Sequence, residues 1–167
     1  MSKLQYYWED LAPGSVRELG STVVTAEEIK EFAEQFDPQP FHLDELAGRR
    51  SIYGGMCASG WHTCSIAMRL TVDNFLRESS SLGSPGLENL RWLKPVFPDD
   101  RLTLTHVILE SRPMRSRPEV GIVRSRWDMV NQHGEQVLQM EGYGMFGRRH
   151  PATPEELALI EAERGAG

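Results

Sequence analysis

A chain of 167 residues, 40% hydrophobic and 25% charged with a net charge of −6, has the composition of an acidic globular protein with enough apolar material for one core. That acidity excludes phosphate-backbone binding over most of the surface, so no nucleic-acid partner is expected. The opening residues Met1 to Asp10 lack the long apolar run of a secretion signal, so a cytoplasmic protein with no membrane partner is the expectation.

In chain order, Tyr6 to Gly14 reads as an arm ending in a Pro13-Gly14 turn, followed by a short strand through Ser21-Thr22-Val23-Val24. Thr25 with Glu28 forms a capping-box pattern, and Val24 can staple onto Ile29. Ile29, Phe32, Ala33 and Phe36 recur at the spacing of one helical face, predicting a helix packed inward on all four. Asp37-Pro38 ends it.

The stretch Phe36-Asp37-Pro38-Gln39-Pro40-Phe41-His42 places a carboxylate and an imidazole on a backbone stiffened by two prolines. A carboxylate beside a histidine is the smallest set of groups for general acid–base chemistry. The same string also reads as a helix stop and a turn, with His42 opening the next short helix. Leu43 to Ala47 then forms a helical turn closed by Gly48, with Asp44 and Glu45 as acids favoured by the helix dipole.

From Ser51 to Met68 no Asp, Glu, Lys or Arg occurs. The span is too polar for a membrane helix, so Met56 to Val72 is read as a helix buried in protein, with something packed closely on Gly60. Gly54-Gly55 at its head is either a plain turn or a pair of backbone donors open to a ligand. Cys57 and Cys64 are too far apart along such a helix for a disulfide and read as small core residues. Thr63 reads as a helix threonine bonded to its own backbone.

Past Asn74 a loop from Arg77 to Gly86 leads into strands. Leu87 to Val96 is one, a Pro98-Asp99-Asp100 turn follows, and Leu102, Leu104 and Ile108 alternate along the next. Val123, Ser125, Trp127 and Met129 face away from Arg124, Arg126 and Asp128, as in a half-buried antiparallel sheet. A Gln132-His133-Gly134 turn precedes a last strand with Leu138, Met140, Gly142, Gly144 and Phe146 on one face. Thr153 to Glu156 caps a short helix from Leu157 to Glu163. His62, His106, His133 and His150 have no carboxylate at triad spacing and no second histidine at metal spacing, so they read as structural or solvated and no metal is expected.

Asp37-Pro38-Gln39-Pro40-Phe41-His42-Leu43-Asp44 resembles the D-x-N-P-x-H-x-D signature of the MaoC-like acyl dehydratases, the (R)-specific enoyl-CoA hydratase family. The resemblance runs from about Tyr7 to Arg149. It implies an α+β hot-dog fold, a long central helix wrapped by a curved antiparallel sheet, as a single domain over 1–150 with a short helix and tail over 151–167. It implies Asp37 and His42 as the catalytic pair. Gly55 takes the place of the glycine whose N–H holds the oxyanion, and Gly54 replaces a histidine. Gln39 stands where the family has Asn, Phe36 stands where it has a small residue, and Thr63 falls where some relatives place a hydroxyl near the site.

The implied substrate is a trans-2-enoyl thioester, with coenzyme A as part of the substrate and no other cofactor. The reaction is reversible hydration to the (R)-3-hydroxyacyl thioester, in a homodimer or larger homo-oligomer. Arg112, Arg115 and Arg117 on one hairpin can hold coenzyme A phosphates bidentately or form a solvated turn. Arg91, Trp92 and Lys94 resemble the family's R-x-x-x-P-V segment and are further candidates for that edge. Two alternatives remain: a hot-dog thioesterase, disfavoured because no carboxylate lies on Met56 to Val72, and a non-catalytic acyl-thioester-binding subunit.

Overall fold

The structure, a computed structural model, describes residues 4–165. The capping box forms: Thr25 Oγ1 accepts from the Glu28 N–H at 3.1 Å, and Glu28 Oε2 accepts from the Thr25 N–H at 2.9 Å. Helix α1 runs Ala26–Phe36 with Asp37 as its C-cap. Ile29 and Ala33 are fully buried. Phe36, expected to face inward, is 69% exposed, because it is the last helical residue and lies beyond the core; it leans on Phe32 at 5.0 Å.

Two short helices follow, α2 at Pro40–Leu43, with its proline in the first turn, and α3 at Glu45–Arg50, capped by Asp44 Oδ1 accepting from the Ala47 N–H at 2.7 Å. Gly48, expected to stop this helix, lies inside it. A Cβ there would sit 2.3 Å from the Met56 nitrogen, so close approach of backbone, rather than helix termination, is what requires glycine.

The long helix α4 runs Gly60–Asn74 rather than from Met56. Its start is delayed because the N–H groups of Cys57 and Ala58 are drawn sideways, to the Phe41 carbonyl at 3.2 Å and the Val96 carbonyl at 2.8 Å. Cys57 therefore sits in an extended lead-in, and both cysteines are free. The close packing expected at Gly60 is the Trp92 indole, which a Cβ on Gly60 would meet at 2.5 Å and whose Nε1–H donates to the Gly60 carbonyl at 2.9 Å.

Five strands form one antiparallel sheet: β1 Val16–Val23, β2 Gly86–Trp92, β3 Arg101–Pro113, β4 Val120–Val130 and β5 Gln136–Gly147, in the order β1-β3-β4-β5-β2. Alternation sends Leu102, Leu104, Ile108, Val123, Met129, Leu138, Met140 and Phe146 into the core with Ala67 and Leu70 of α4. This is the hot-dog arrangement, with the sheet wrapped on α4. Strand β2 ends at Trp92, short of Val96, since past Leu93 the chain turns to bond Ala58 instead of β5. The last helix, α5 at Pro154–Gly165, is held to the sheet by Arg148 with Glu156 at 3.2 Å and Arg115 with Glu161 at 2.7 Å. Among the described residues no helix is long and apolar enough to cross a membrane.

Candidate active site

The proline-braced stretch after α1 and the lead-in to α4 converge on one cavity of about 580 Å³, lined by Asp37, Gln39, His42, Cys57, Gly60 and Thr63 among others. Asp37 stands there because it is the C-cap of an anchored helix, and His42 because α2 opens at Pro40 and presents it one turn later. His42 is buried; Asp37 has a side chain 20% exposed. Their facing atoms, His42 Nε2 and Asp37 Oδ2, are 3.3 Å apart.

The other face of the imidazole decides its chemistry. His42 Nδ1 lies 2.6 Å from the Cys57 carbonyl oxygen. A carbonyl can only accept, so Nδ1 carries the hydrogen and, in the neutral ring, Nε2 holds the lone pair. That lone pair points at the Asp37 carboxylate, itself an acceptor. Two acceptors at this spacing are satisfied by a shared proton or by a water that donates to both.

Asp37 is tied down further. Gln39 Nε2–H donates to its Oδ1 at 2.7 Å, and Ser59 Oγ–H donates to its Oδ2 at 2.7 Å. Burial pushes this carboxyl up, but the hydrogen bonds from Ser59 and Gln39 and the adjacent His42 outweigh it and hold Asp37 below the ordinary carboxylate range. Burial raises the Cys57 thiol to about 11, so it stays protonated and unreactive beside the pair.

The expected residues divide. Asp37, Gln39, His42 and Thr63 line the cavity, as do Trp92 and Lys94. Thr63 Oγ1 also reaches the Ser59 carbonyl at 3.4 Å, the backbone bond read from its place in a helix. Gly54 and Gly55 do not line it; Gly54 adopts φ +71° in a turn, and Gly55 backs onto Phe97, 3.1 Å from where its Cβ would be. Gly60 and Trp61, in the first turn of α4, do line the cavity, and the leading N–H groups of a helix have no partner within it.

The arginine hairpin is elsewhere. The cavity lies beside Val96, just before β3, whereas Arg112 is eleven residues along that strand from Arg101, about 36 Å at ~3.3 Å per residue. There Arg112 and Arg115 line two cavities of their own and Arg117 is exposed.

Ser59 was not singled out in the sequence. Its signal was a small polar residue immediately before Gly60, which the reading of Met56 as already helical concealed. The remaining histidines are packing groups or surface groups. His62 stacks on Phe32 at 4.8 Å, His106 is clasped between Phe75 and Trp127 and is pushed by burial, with Arg17 beside it, down to about 4.

Residues 11–128 match the profile of the MaoC-like domain. The crystal structure of a MaoC-like dehydratase from Rhodospirillum rubrum superimposes with a TM-score of 0.79 at 40% identity, over 87% of this chain and 99% of that one. The unliganded (R)-hydratase of Pseudomonas aeruginosa shares the fold at a TM-score of 0.72 and 23% identity, over 89% of this chain and 90% of that one. The Bacillus subtilis protein YdeM is 29% identical over 133 residues, 80% of this chain and 93% of its own length. The fold and the matched span agree: the chain belongs to the MaoC-like dehydratase domain family.

Proposed function

We propose that the protein is a hydratase of trans-2-enoyl thioesters, forming (R)-3-hydroxyacyl thioesters reversibly, with coenzyme A as the thiol. The observation that carries this reading is the imidazole whose Nδ1 is fixed on a backbone carbonyl while its Nε2 faces Asp37 across 3.3 Å in a cavity. A water donating to both is held with its oxygen free to attack. As the water oxygen bonds to C3 of the enoyl group, His42 Nε2 takes the water proton, and negative charge moves through C2 to the thioester oxygen. The first turn of α4 supplies the backbone donors for that oxygen. His42 then returns the proton to C2, so one water is added across the double bond. Dehydration runs the same steps backwards.

Lys94, which lines the cavity and pairs with Glu135, is in this reading the cation that meets a coenzyme A phosphate. A second copy of the chain packs, in this reading, on the exposed edge of β2 and the outward face of α4, where Leu87, Trp92, Trp61 and Met68 are all about half exposed. Thioester hydrolysis is less well supported, because no carboxylate lies on α4 near the cavity and Cys57 is held protonated.

The test follows the absorbance of the conjugated thioester of crotonyl-CoA while free thiol is titrated in the same cuvette. Hydration removes the band without releasing thiol, and His42→Ala abolishes the loss. Thiol release would establish a thioesterase instead. Silence across short, long and branched enoyl thioesters would leave a binding subunit.

A further inference from the structure

We infer that Ser59 is a positioning residue of the acid–base pair: its hydroxyl sits where a helix cap belongs, but it fixes the direction in which the Asp37 carboxylate faces. The inference rests on the reading of Asp37 and His42 as the hydration pair.

Serine is among the residues that best cap helices, by accepting from an N–H of the first turn. Ser59 is the N-cap residue of α4 and is fully buried, yet its side chain makes no capping bond. The hydroxyl has one hydrogen, and it goes to Asp37 Oδ2 at 2.7 Å, across twenty-two residues of chain. Ser59 itself cannot drift, since its carbonyl accepts the Thr63 N–H at 3.1 Å, its own helix's opening bond.

The two donors on Asp37 are unequal. Gln39, on Oδ1, is exposed, so water can replace its amide. Ser59, on Oδ2, lies out of reach of solvent, so nothing replaces its hydroxyl. Oδ2 is also the oxygen that faces His42. A carboxylate without this donor is free to rotate its oxygens away from the imidazole, and the water between them loses one of its two acceptors. The donor also favours the ionised carboxylate, which is the form that accepts from water. Of the side chains bearing on Asp37, Ser59 and Gln39 are neutral and His42 is the one able to carry charge.

Ser59 thereby joins the two halves of the chemistry. The residue that begins the helix whose first turn faces the thioester oxygen is the one that orients the carboxylate on the attacking side. The bound thioester does not need this hydrogen bond, so its loss acts on turnover and leaves binding alone.

The experiment compares wild type, Ser59→Ala and Ser59→Cys by two readouts, turnover of crotonyl-CoA and ¹³C NMR titration of the Asp37 carboxyl, assigned by its absence in Asp37→Asn. In Ser59→Ala, kcat should fall about tenfold to hundredfold with KM within about twofold, and the Asp37 midpoint should rise. Cysteine matches serine in size but is a weak donor, so Ser59→Cys should resemble alanine. Recovery in the cysteine variant would show that packing, not the hydrogen bond, matters, and would overturn the inference. So would an unmoved Asp37 titration, or a change confined to KM. If the wild type hydrates no enoyl thioester while the Asp37 midpoint still rises in Ser59→Ala, the positioning stands and the proposed reaction falls.

Discussion

At the near end of β3 a carboxylate and an imidazole meet in one cavity, the carboxylate bonded to the buried Ser59 hydroxyl and the imidazole to the Cys57 carbonyl. At the far end Arg112, Arg115 and Arg117 stand on a hairpin beside two cavities, and the ion pair formed there, Arg115 with Glu161, has both side chains at least half open to solvent or nearly so. The far end has more charge. The near end has more constraint: α1, α2 and the lead-in to α4 each deliver one group, and buried hydrogen bonds leave those groups little freedom. A charged side chain in water is cheap to keep and free to move, so its presence says little, whereas a buried polar group persists only where its partners are built.

The contrast breaks most sharply at His42. His42→Ala should lower kcat/KM for an enoyl thioester by about 10³-fold, with Asp37→Asn in the same range, in steady-state assays on protein of unchanged circular dichroism. Loss of less than about tenfold from either would remove the near end's claim to chemistry.

A buried histidine away from the cavity should report on stability instead. The folded value for His106 is about 4 against an ordinary 6.5, so between those pH values the unfolded chain binds a proton that the folded chain does not. Stability therefore rises with pH through that window and is lost as pH falls from about 6.5 towards about 4, by on the order of 3 kcal/mol. Urea titrations at several pH values should show this slope, and His106→Leu should flatten it.

Gly48→Ala tests the close approach that holds α3 against the lead-in to α4, since the added Cβ would lie 2.3 Å from backbone. A loss of about 2 kcal/mol of stability, read from denaturant titration, is expected, with turnover falling as the Cys57 carbonyl shifts. Smallest should be the change at the far end. Replacing Arg112, Arg115 and Arg117 together by Gln should leave KM for crotonyl-CoA within about twofold and stability within about 0.5 kcal/mol. A large rise in KM would mean that the hairpin reaches a thioester after all, by way of a second chain.

Much of the fold was legible because its signals are local. The capping box at Thr25, the alternation at Leu102, Leu104 and Ile108 and the turn at Gln132 to Gly134 each depend on neighbours in sequence, and each formed. The errors fell where a distant partner decides. Cys57 and Ala58 are drawn out of helix by Phe41 and Val96, Gly48 serves Met56 rather than its own helix, and Phe36 overshoots the core. The site shows the same division. Asp37 and His42 are close in sequence and could be paired on the page; Ser59, bonded across twenty-two residues, could not.

One feature of the cavity bears on how such a site can change over time. The group that orients His42 is the carbonyl of residue 57, which every amino acid supplies, while the side chain at 57 lines the cavity wall. The Cys57 Sγ also lies 3.9 Å from His42 Nδ1, so a substitution at this position reshapes the cavity wall and the flank of the imidazole together while the carbonyl anchor stays. Position 57 is an adjustable wall on a fixed hinge-post, and under the proposed reaction a library of Ala, Ser and Val there should shift chain-length preference, with turnover falling where the new side chain crowds the imidazole.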